Sequence, residues 1–162
     1  MIKYLIRYSL FFTFVVLSTV VFADFSAQAE TTVTIRKIEE SAMGEIIGAK
    51  DNRIVVAFMA AWCGPCIQEL PDLNSLHKKY KNQGFNLIGV SIDLEGPEAM
   101  QPIINQMRIS FPVYWYGEKA IVKYNLNAIP TLLFVKQGRI IERLRGKPSP
   151  AYLDQKIREF LK

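Results

Sequence analysis

Hydrophobic and polar positions follow two alternating periods along the chain, and this alternation predicts an α/β fold. Strands are predicted where apolar residues run continuously or alternate with polar ones, at 32–38, 53–61, 85–93, 111–116 and twice within 130–146. Helices are predicted where apolar residues return every three or four positions, at 40–49, 67–84, 96–107, 118–125 and 149–162. This order predicts a central mixed β-sheet flanked by helices on both faces, with a terminal β-hairpin of edge strands and a C-terminal helix.

Several turn and cap residues mark the ends of these elements. Gln137 and Gly138 form the tight turn expected between the last two strands. Ser149 and Pro150 are the N-cap and first residue expected at the start of the last helix. Pro71 lies inside a predicted helix and is expected to kink it, because proline lacks the N–H group that a helix interior uses.

The first 29 residues have the layout of a secretory signal. A basic start precedes a charge-free apolar run from Ser9 to Ala23, and an Ala-x-Ala pattern ends at Ala29. The run is about 15 residues long, shorter than the roughly 20 that a membrane-crossing helix needs, which favours cleavage. Retention as an N-terminal membrane anchor stays open. We therefore predict a signal peptide or anchor at 1–29 and one domain at 30–162.

Composition and charge limit the classes of function. Half of the residues are hydrophobic and 22% are charged, which suits a packed globular domain and excludes a disordered chain. The net charge of +5 is dispersed along the sequence, without a basic patch that contains interleaved aromatic residues. Nucleic acid is therefore not expected as a partner.

The two cysteines of the chain, Cys63 and Cys66, lie in one turn, WCGPC, where a predicted buried strand meets a predicted helix. Unpaired backbone N–H groups and the helix dipole stabilise an anion at such a position. Lowering a thiol pKa from about 8.5 to about 7 takes roughly 2 kcal/mol, which a helix N-terminus and hydrogen bonds can supply. Cys63 is thus predicted to be the nucleophile of thiol-disulfide exchange, and Cys66 the resolving thiol one helical turn away. Pro65 stiffens the loop between them.

Other interpretations of the cysteine pair are weaker. A structural zinc site needs about four ligands, and besides the cysteines the chain offers one histidine, His77, which is expected to be an exposed polar residue. A purely structural disulfide gains little from closing so short a loop. Neither a metal nor another cofactor is therefore predicted. The aromatic run at 114–116 suits core and edge packing better than substrate contact.

The segments WCGPC, after VVAFMAA, and AIPTLLFVKQGRII, about 65 residues later, resemble the thioredoxin superfamily over roughly Thr32 to Lys162. The apolar N-terminal segment and the run CIQELP are similar to the extracytoplasmic thioredoxin-like reductases of the TlpA/ResA group, whose pattern from the second cysteine is C-x-x-E-x-P. The resemblance implies a thioredoxin fold and thiol-disulfide oxidoreductase activity.

The resemblance also implies a substrate-binding surface around the cysteines. Pro130 is expected to follow a cis peptide bond, with Ile129 beside the cysteines offering backbone groups to an extended substrate chain. Trp62, Gly64 and Pro65 are implied as further substrate-binding residues. From the residues alone, a proline at the start of a strand is compatible with either a trans or a cis bond.

Glu69 falls on the glutamate of the TlpA/ResA pattern. One turn beyond Cys66, a carboxyl with a raised pKa could carry protons during exchange, although an ordinary first-turn acid favoured by the helix dipole is the alternative. Cytoplasmic thioredoxins have a buried aspartate and a lysine where this chain has Ala57 and Gly89. Their joint absence leaves no unpaired buried charge and favours Glu69 or water as the proton carrier.

These expectations lead to one function and two alternatives. The resemblance implies a monomeric reductase of protein disulfides, located in the periplasm or at the outer face of the cytoplasmic membrane. Because that compartment is oxidising, a membrane thiol-disulfide electron donor must recharge it. Cytochrome c maturation is the group's commonest task and the expected role. The alternatives are a disulfide oxidase or isomerase of the cell envelope, and a non-catalytic binding module.

Overall fold

Residues 33–162 are described by a computed structural model, in which six strands form one sheet. The strands are β1 (Arg36–Lys37), β2 (Arg53–Met59), β3 (Asn86–Ser91), β4 (Val113–Trp115), β5 (Thr131–Lys136) and β6 (Arg139–Arg145). Across the sheet their order is β1-β4-β3-β2-β5-β6. The first four in this order are parallel, whereas β5 is antiparallel to β2 and β6 to β5, which confirms the predicted mixed sheet. The predicted signal peptide or anchor at 1–29 lies outside the described residues.

Helices flank this sheet along the whole described part of the chain. They are α1 (Glu40–Gly48), α2 (Gly64–Tyr80), α3 (Pro97–Gln106), α4 (Lys119–Lys123) and α5 (Pro150–Phe160). The Tyr80 hydroxyl of α2 donates a 2.9 Å hydrogen bond to Asp154 of α5, and the Phe160 ring packs edge-on against Phe134 of β5 with centroids 5.2 Å apart. Within residues 33–162, every helix is too short or too polar to span a bilayer.

Strands β2 and β5 are adjacent inner strands of the sheet, each paired on both sides. From Ile54 to Met59 no residue of β2 is more than 4% exposed, because its continuous apolar run packs on both faces. The same burial extends from Thr131 to Val135 in β5. The expectation that both hairpin strands are edge strands is therefore wrong for β5, which lies between β2 and β6. The partly exposed strand β6 is one edge strand of the sheet, and β1 is the other.

The turn between β5 and β6 has the conformation that its sequence predicts. Gln137 and Gly138 have φ angles of 54° and 71°, positive at both turn positions, as strand twist favours in two-residue hairpins. A Cβ atom at Gly138 would lie 2.6 Å from the carbonyl oxygen of Gly48, so this position has room only for glycine. The Gln137 N–H donates to the carbonyl of Asn52 at 3.0 Å, which fastens the turn to the chain before β2.

Strand β1 is shorter than the predicted 32–38. The backbone before it bonds to a side chain instead of a neighbouring strand: the Ile35 N–H donates to the Gln101 side-chain oxygen at 2.7 Å, and the Gln101 amide donates to the Val33 carbonyl at 2.8 Å. The Gln101 side chain thus forms the hydrogen bonds with the Val33 and Ile35 backbone that a neighbouring strand would otherwise form.

Helix α2 begins earlier than its apolar pattern predicts, at Gly64 rather than at residue 67. The helix continues through Pro71 to Tyr80, so the proline does not end it. The missing N–H of Pro71 removes one helical hydrogen bond, and the packing of the buried side chains around it retains the helix. These side chains include Leu70, Leu73, Leu76 and Tyr80.

Ala57 and Gly89 are direct neighbours in the parallel register of β2 and β3, as the resemblance implies. A Cβ atom at Gly89 would lie 2.8 Å from Cε of Met59 and 3.2 Å from Cγ2 of Val113. The methionine and valine side chains therefore fill the space beside these two residues. Any side chain at position 89, such as the lysine of the cytoplasmic thioredoxins, would have to displace them.

We predict that Gly89→Ala lowers the free energy of unfolding by about 1–3 kcal/mol, because the added methyl group overpacks this space. Gly44→Ala is the control, since a Cβ atom at Gly44 meets nothing within 4 Å and the residue lies inside α1. That variant should be more stable by about 0.5–1 kcal/mol, through its higher helix propensity. Urea denaturation of the two variants measures both effects, and equal stabilisation by both would contradict the packing described for Gly89.

Candidate active site

Cys63 and Cys66 are joined by a disulfide at the N-terminus of α2. Cys63 is the N-cap residue, and its Sγ accepts a 3.2 Å hydrogen bond from the backbone N–H of Cys66. The predicted nucleophile therefore lies where helix N–H groups and the helix dipole stabilise a thiolate. Both cysteines are at most 5% exposed, whereas Gly64 and Pro65 between them are exposed. A partner must consequently fit the surrounding surface to reach either sulfur.

Three strand ends meet near the start of α2. β2 ends at Met59, four residues before Cys63, and its parallel neighbour β3 ends at Ser91, which pairs with Met59. The antiparallel neighbour β5 begins at Thr131, which pairs with Phe58. Residues just after β3 and just before β5 are therefore at the same edge of the sheet as the residues that lead into the disulfide.

The chain before β5 forms one side of an apolar cavity at this edge. The Ile129–Pro130 peptide bond is cis, in agreement with the resemblance, and Pro130 is buried. Ile129 and Trp62 line a cavity of about 350 Å³, to which further apolar side chains contribute, among them Ile92, Ile121 and Leu126. Trp62 is 67% exposed, although large apolar side chains are usually covered. The structure thus brings together two of the predicted substrate-binding residues, Trp62 and Ile129.

Glu69 lies one turn beyond Cys66 in α2 and is only 2% exposed. Its Oε1 atom is buried and has no hydrogen-bond partner among the described residues. Burial is the main cause that raises the pKa of the Glu69 carboxyl to about 7; Lys147 lowers this pKa, and Asp72 raises it further. Both forms of the carboxyl are then populated near neutral pH, as a proton carrier requires. An exposed first-turn acid would lack these properties, and the catalytic role stays a prediction.

Asp93 is a site residue that the sequence motifs do not reveal. It follows β3 and is fully buried, and its carboxylate accepts hydrogen bonds from the Ala61 N–H at 2.9 Å and the Ser91 hydroxyl at 2.7 Å. The indole N–H of Trp115 donates to the backbone carbonyl of Asp93 at 2.7 Å. These bonds tie the loop before Cys63 to the ends of β3 and β4. The available signal was an acidic residue at the end of the predicted buried strand 85–93.

The aromatic run at 114–116 packs within the protein, as predicted. Tyr116 is buried, and Trp115 is half-buried with its indole bonded to Asp93. The Tyr116 ring packs edge-on against Tyr124, with centroids 5.8 Å apart. These contacts support the sheet edge below the cysteine loop.

His77 is half-buried, so the expectation that it is exposed is wrong. Its ring packs edge-on against Phe111, and its Nδ1 atom is buried without a hydrogen-bond partner in the described part of the chain. Burial lowers the pKa of His77, and the charges of Lys81 and Lys78 lower it further. The neutral ring is therefore a packing residue well along α2 from the disulfide. Among residues 33–162, no three His, Cys, Asp or Glu side chains are grouped as a metal site requires.

A family model described as the AhpC/TSA family matches residues 21–143. The chain belongs to this family. Thiol-disulfide oxidoreductase ResA of Bacillus thuringiensis (strain Al Hakam) is 30% identical over 118 residues, which cover 72% of this chain and 68% of the relative. The protein of the same name from Halalkalibacterium halodurans is 26% identical over 145 residues, which cover 86% of this chain and 80% of the relative.

Solved structures share the fold of this chain. A thiol:disulfide interchange protein of the thioredoxin family from Chlorobium tepidum matches with a TM-score of 0.62 and 25% identity, over 70% of this chain and 82% of that chain. The thioredoxin domain of a Bacteroides vulgatus thiol-disulfide oxidoreductase has the same fold, with a TM-score of 0.60 and 24% identity over 70% of this chain and 81% of that chain. Together with the Cys63–Cys66 pair, these similarities confirm that the chain is a thiol-disulfide oxidoreductase of the thioredoxin superfamily.

We predict that Asp93→Ala slows thiol-disulfide exchange and lowers the free energy of unfolding by about 1–3 kcal/mol, because the partly buried Ala61 N–H and the buried Ser91 hydroxyl lose their acceptor. Asp93→Asn should stay close to the wild type, since its amide retains one acceptor oxygen for Ala61. Urea denaturation and the rate of exchange with a model disulfide measure the two effects. Wild-type exchange by a folded Asp93→Ala variant would show that this side chain does not hold the cysteine loop.

Proposed function

We propose that this AhpC/TSA-family protein reduces protein disulfides outside the cytoplasm, with Cys63 as the nucleophile and Cys66 as the resolving thiol. The observation that carries the proposal is the hydrogen bond from the Cys66 N–H to the Cys63 Sγ at the start of α2. A sulfur held there is stabilised as a thiolate by the N–H group and by the helix dipole. The thiolate is the form that attacks a disulfide.

The proposed reaction moves two electrons from the two thiols of the protein to one disulfide of the substrate. The Cys63 thiolate attacks a substrate sulfur, forms a mixed disulfide and releases one substrate thiolate. Cys66 then gives its proton to the Glu69 carboxylate and attacks the Cys63 Sγ, which closes the protein disulfide and releases the second substrate thiolate. Both substrate thiolates take up protons from water. The sequence of steps needs no bound cofactor.

The proposed substrate is a polypeptide that presents an apolar side chain close to its disulfide. The cavity lined by Trp62 and Ile129 has the size and apolar lining that suit such a side chain. The exposed glycine and proline between the cysteines leave the approach to Cys63 open, because neither carries a long side chain. The backbone of Ile129 is the proposed partner of an extended segment of the substrate, since Pro130 has no N–H and its carbonyl accepts from the Gly146 N–H.

The proposed location follows from the apolar segment that precedes the domain. A signal peptide or anchor at 1–29 would carry the domain to the periplasm or keep it tethered at the outer face of the cytoplasmic membrane. An oxidising compartment oxidises the cysteine pair, so a membrane thiol-disulfide donor would have to reduce it again. Reduction of an apoprotein disulfide to the thiols needed in cytochrome c maturation is the proposed task, carried out by a monomer.

The opposite direction, disulfide formation or isomerisation, is the second candidate. The interchange activity named for the Chlorobium tepidum relative is compatible with both directions, since exchange is reversible. A third candidate, a binding module that holds unfolded chains, would use the groove but not the sulfurs.

We predict that Cys63→Ser abolishes the reduction of insulin disulfides, because the nucleophile is lost. Cys66→Ser should still attack but should not release its partner, so mixed disulfides accumulate. Mass spectrometry of partners captured by Cys66→Ser from cell-envelope extract would identify both substrate and donor, with Cys63→Ser as the matched control. Capture of the same partners by Cys63→Ser would favour the binding module over the reductase.

We further predict that the reduction potential of the Cys63–Cys66 pair lies close to the about −270 mV of thioredoxin. An oxidase would be closer to the about −120 mV of DsbA. Equilibration of the pair with glutathione or dithiothreitol buffers, followed by mass spectrometry of alkylated thiols, measures the potential. A value near the DsbA end would reverse the proposed direction while keeping the same sulfur chemistry.

A further inference from the structure

Two opposite charges lie close to the buried Glu69. Asp72 is three residues further along α2, on the face of the helix that neighbours Glu69. The Oδ2 atom of Asp72 is 3.9 Å from Nζ of Lys147, and the two side chains are 30% and 29% exposed. An ion pair in partial contact with water thus stands beside a carboxyl that has lost almost all such contact.

Lys147 is held at this place by the loop that joins β6 to α5. The N–H of the preceding Gly146 donates a 2.8 Å hydrogen bond to the carbonyl of Pro130. Arg145, the last residue of β6, pairs with Thr131, the first residue of β5. The loop is therefore fastened to the chain that forms one wall of the proposed substrate groove, and Lys147 extends from that loop toward α2.

We propose that the ion pair of Lys147 and Asp72 sets the pH at which Glu69 exchanges its proton, and thereby the pH range in which Cys66 closes the disulfide. The proposal rests on the proton-carrying role proposed above for Glu69. Closure leaves on Glu69 the proton that Cys66 gave up, and Glu69 must pass it to water before the next turnover. Lys147 and Asp72 act on this step through Glu69, so both are positioning residues.

The two charges act in opposite directions. Lys147 stabilises the Glu69 carboxylate and lowers its pKa, whereas Asp72 destabilises the carboxylate and raises its pKa. In the described part of the chain these are the charged groups with a resolved effect on Glu69, one from the β6–α5 loop and one from α2. The sulfurs of Cys63 and Cys66 also lie near, and in the disulfide they do not titrate. Because both charged side chains are partly solvated, removing either one should shift the midpoint by roughly half a pH unit.

We predict opposite shifts of the Glu69 titration in two variants of the oxidised protein. Lys147→Gln should move the midpoint up by roughly half a pH unit, and Asp72→Asn should move it down by a similar amount. Carbon-13 NMR of the glutamate carboxyl carbons, with Glu69 assigned by its absence from Glu69→Gln, measures the midpoints. Lys50→Gln and Asp51→Asn are the matched controls, because they make the same charge changes at exposed residues before β2 and should leave the midpoint in place.

The same variants should shift the pH dependence of disulfide closure. Reduced protein is mixed with excess oxidised glutathione at a series of pH values, quenched with acid and analysed by mass for the Cys63–Cys66 disulfide. The low-pH limb of the closure rate should move up in Lys147→Gln and down in Asp72→Asn. In a Glu69→Gln background neither substitution should move the low-pH limb, because the group that the two charges act on is gone. A merely structural role of the Lys147–Asp72 ion pair would not depend on Glu69 in this way.

The outcomes separate this inference from the proposed function. Unchanged midpoints in both variants, or shifts in the same direction, would overturn the role of the ion pair while exchange through Cys63 persists. A wild-type Glu69 midpoint near the ordinary 4.5 would overturn it as well. So would a low-pH limb that Lys147→Gln and Asp72→Asn still move in the Glu69→Gln background. Failure of the reduced wild-type protein to react with any disulfide would instead contradict the proposed function itself.

Discussion

The pairing of β2 on both of its edges is the constraint on which the site depends. Because β2 is covered on both faces, water cannot satisfy its backbone groups, and they must pair with β3 on one side and β5 on the other. Parallel pairing brings the end of β3 level with the end of β2, and antiparallel pairing brings the start of β5 to the same edge. Asp93, Cys63 and Pro130 therefore lie at the same edge of the sheet although they are far apart in sequence. A slip of one residue would turn every side chain of the strand to the opposite face.

The two buried carboxyl groups of this edge differ in what surrounds them. Asp93 accepts hydrogen bonds from Ala61 and Ser91, so its place is fixed and it serves the loop before Cys63. Glu69 has a buried oxygen without a hydrogen-bond partner among the described residues, so no hydrogen bond to that oxygen fixes its protonation state. A satisfied carboxyl suits a structural task, whereas an unsatisfied one can change its state during a reaction. Of these two buried carboxyl groups, Glu69 is therefore the one that we propose as the proton carrier.

Local patterns predicted much of this site, and contacts between distant residues account for what they missed. The position of Cys63 at a helix start, the hairpin turn and the C-terminal helix depend on neighbouring residues, and all three are as predicted. The short β1 depends on Gln101, 66 residues away from the backbone group it binds, and the role of Asp93 depends on a bond to Ala61 across 32 residues. The inner place of β5 likewise depends on which strands pair, which an apolar run does not specify. The contact of Lys147 with Asp72 depends in the same way on the place of the β6–α5 loop, where the Gly146 N–H bonds to the Pro130 carbonyl.

The burial of Glu69 makes the stability of the folded state depend on pH. Its carboxyl has a pKa of about 7 in the folded protein, against 4.5 as the ordinary value that the unfolded chain should show. Below pH 4.5 both states hold the proton, and between 4.5 and 7 the unfolded chain releases it first, so the folded state loses up to about 3 kcal/mol of its advantage as the pH rises. Above pH 7 both states are ionised and the loss stops growing. At this one residue the domain thus tolerates acid better than alkali. The burial that keeps the Glu69 carboxyl partly protonated near neutral pH also lowers the free energy of unfolding at that pH.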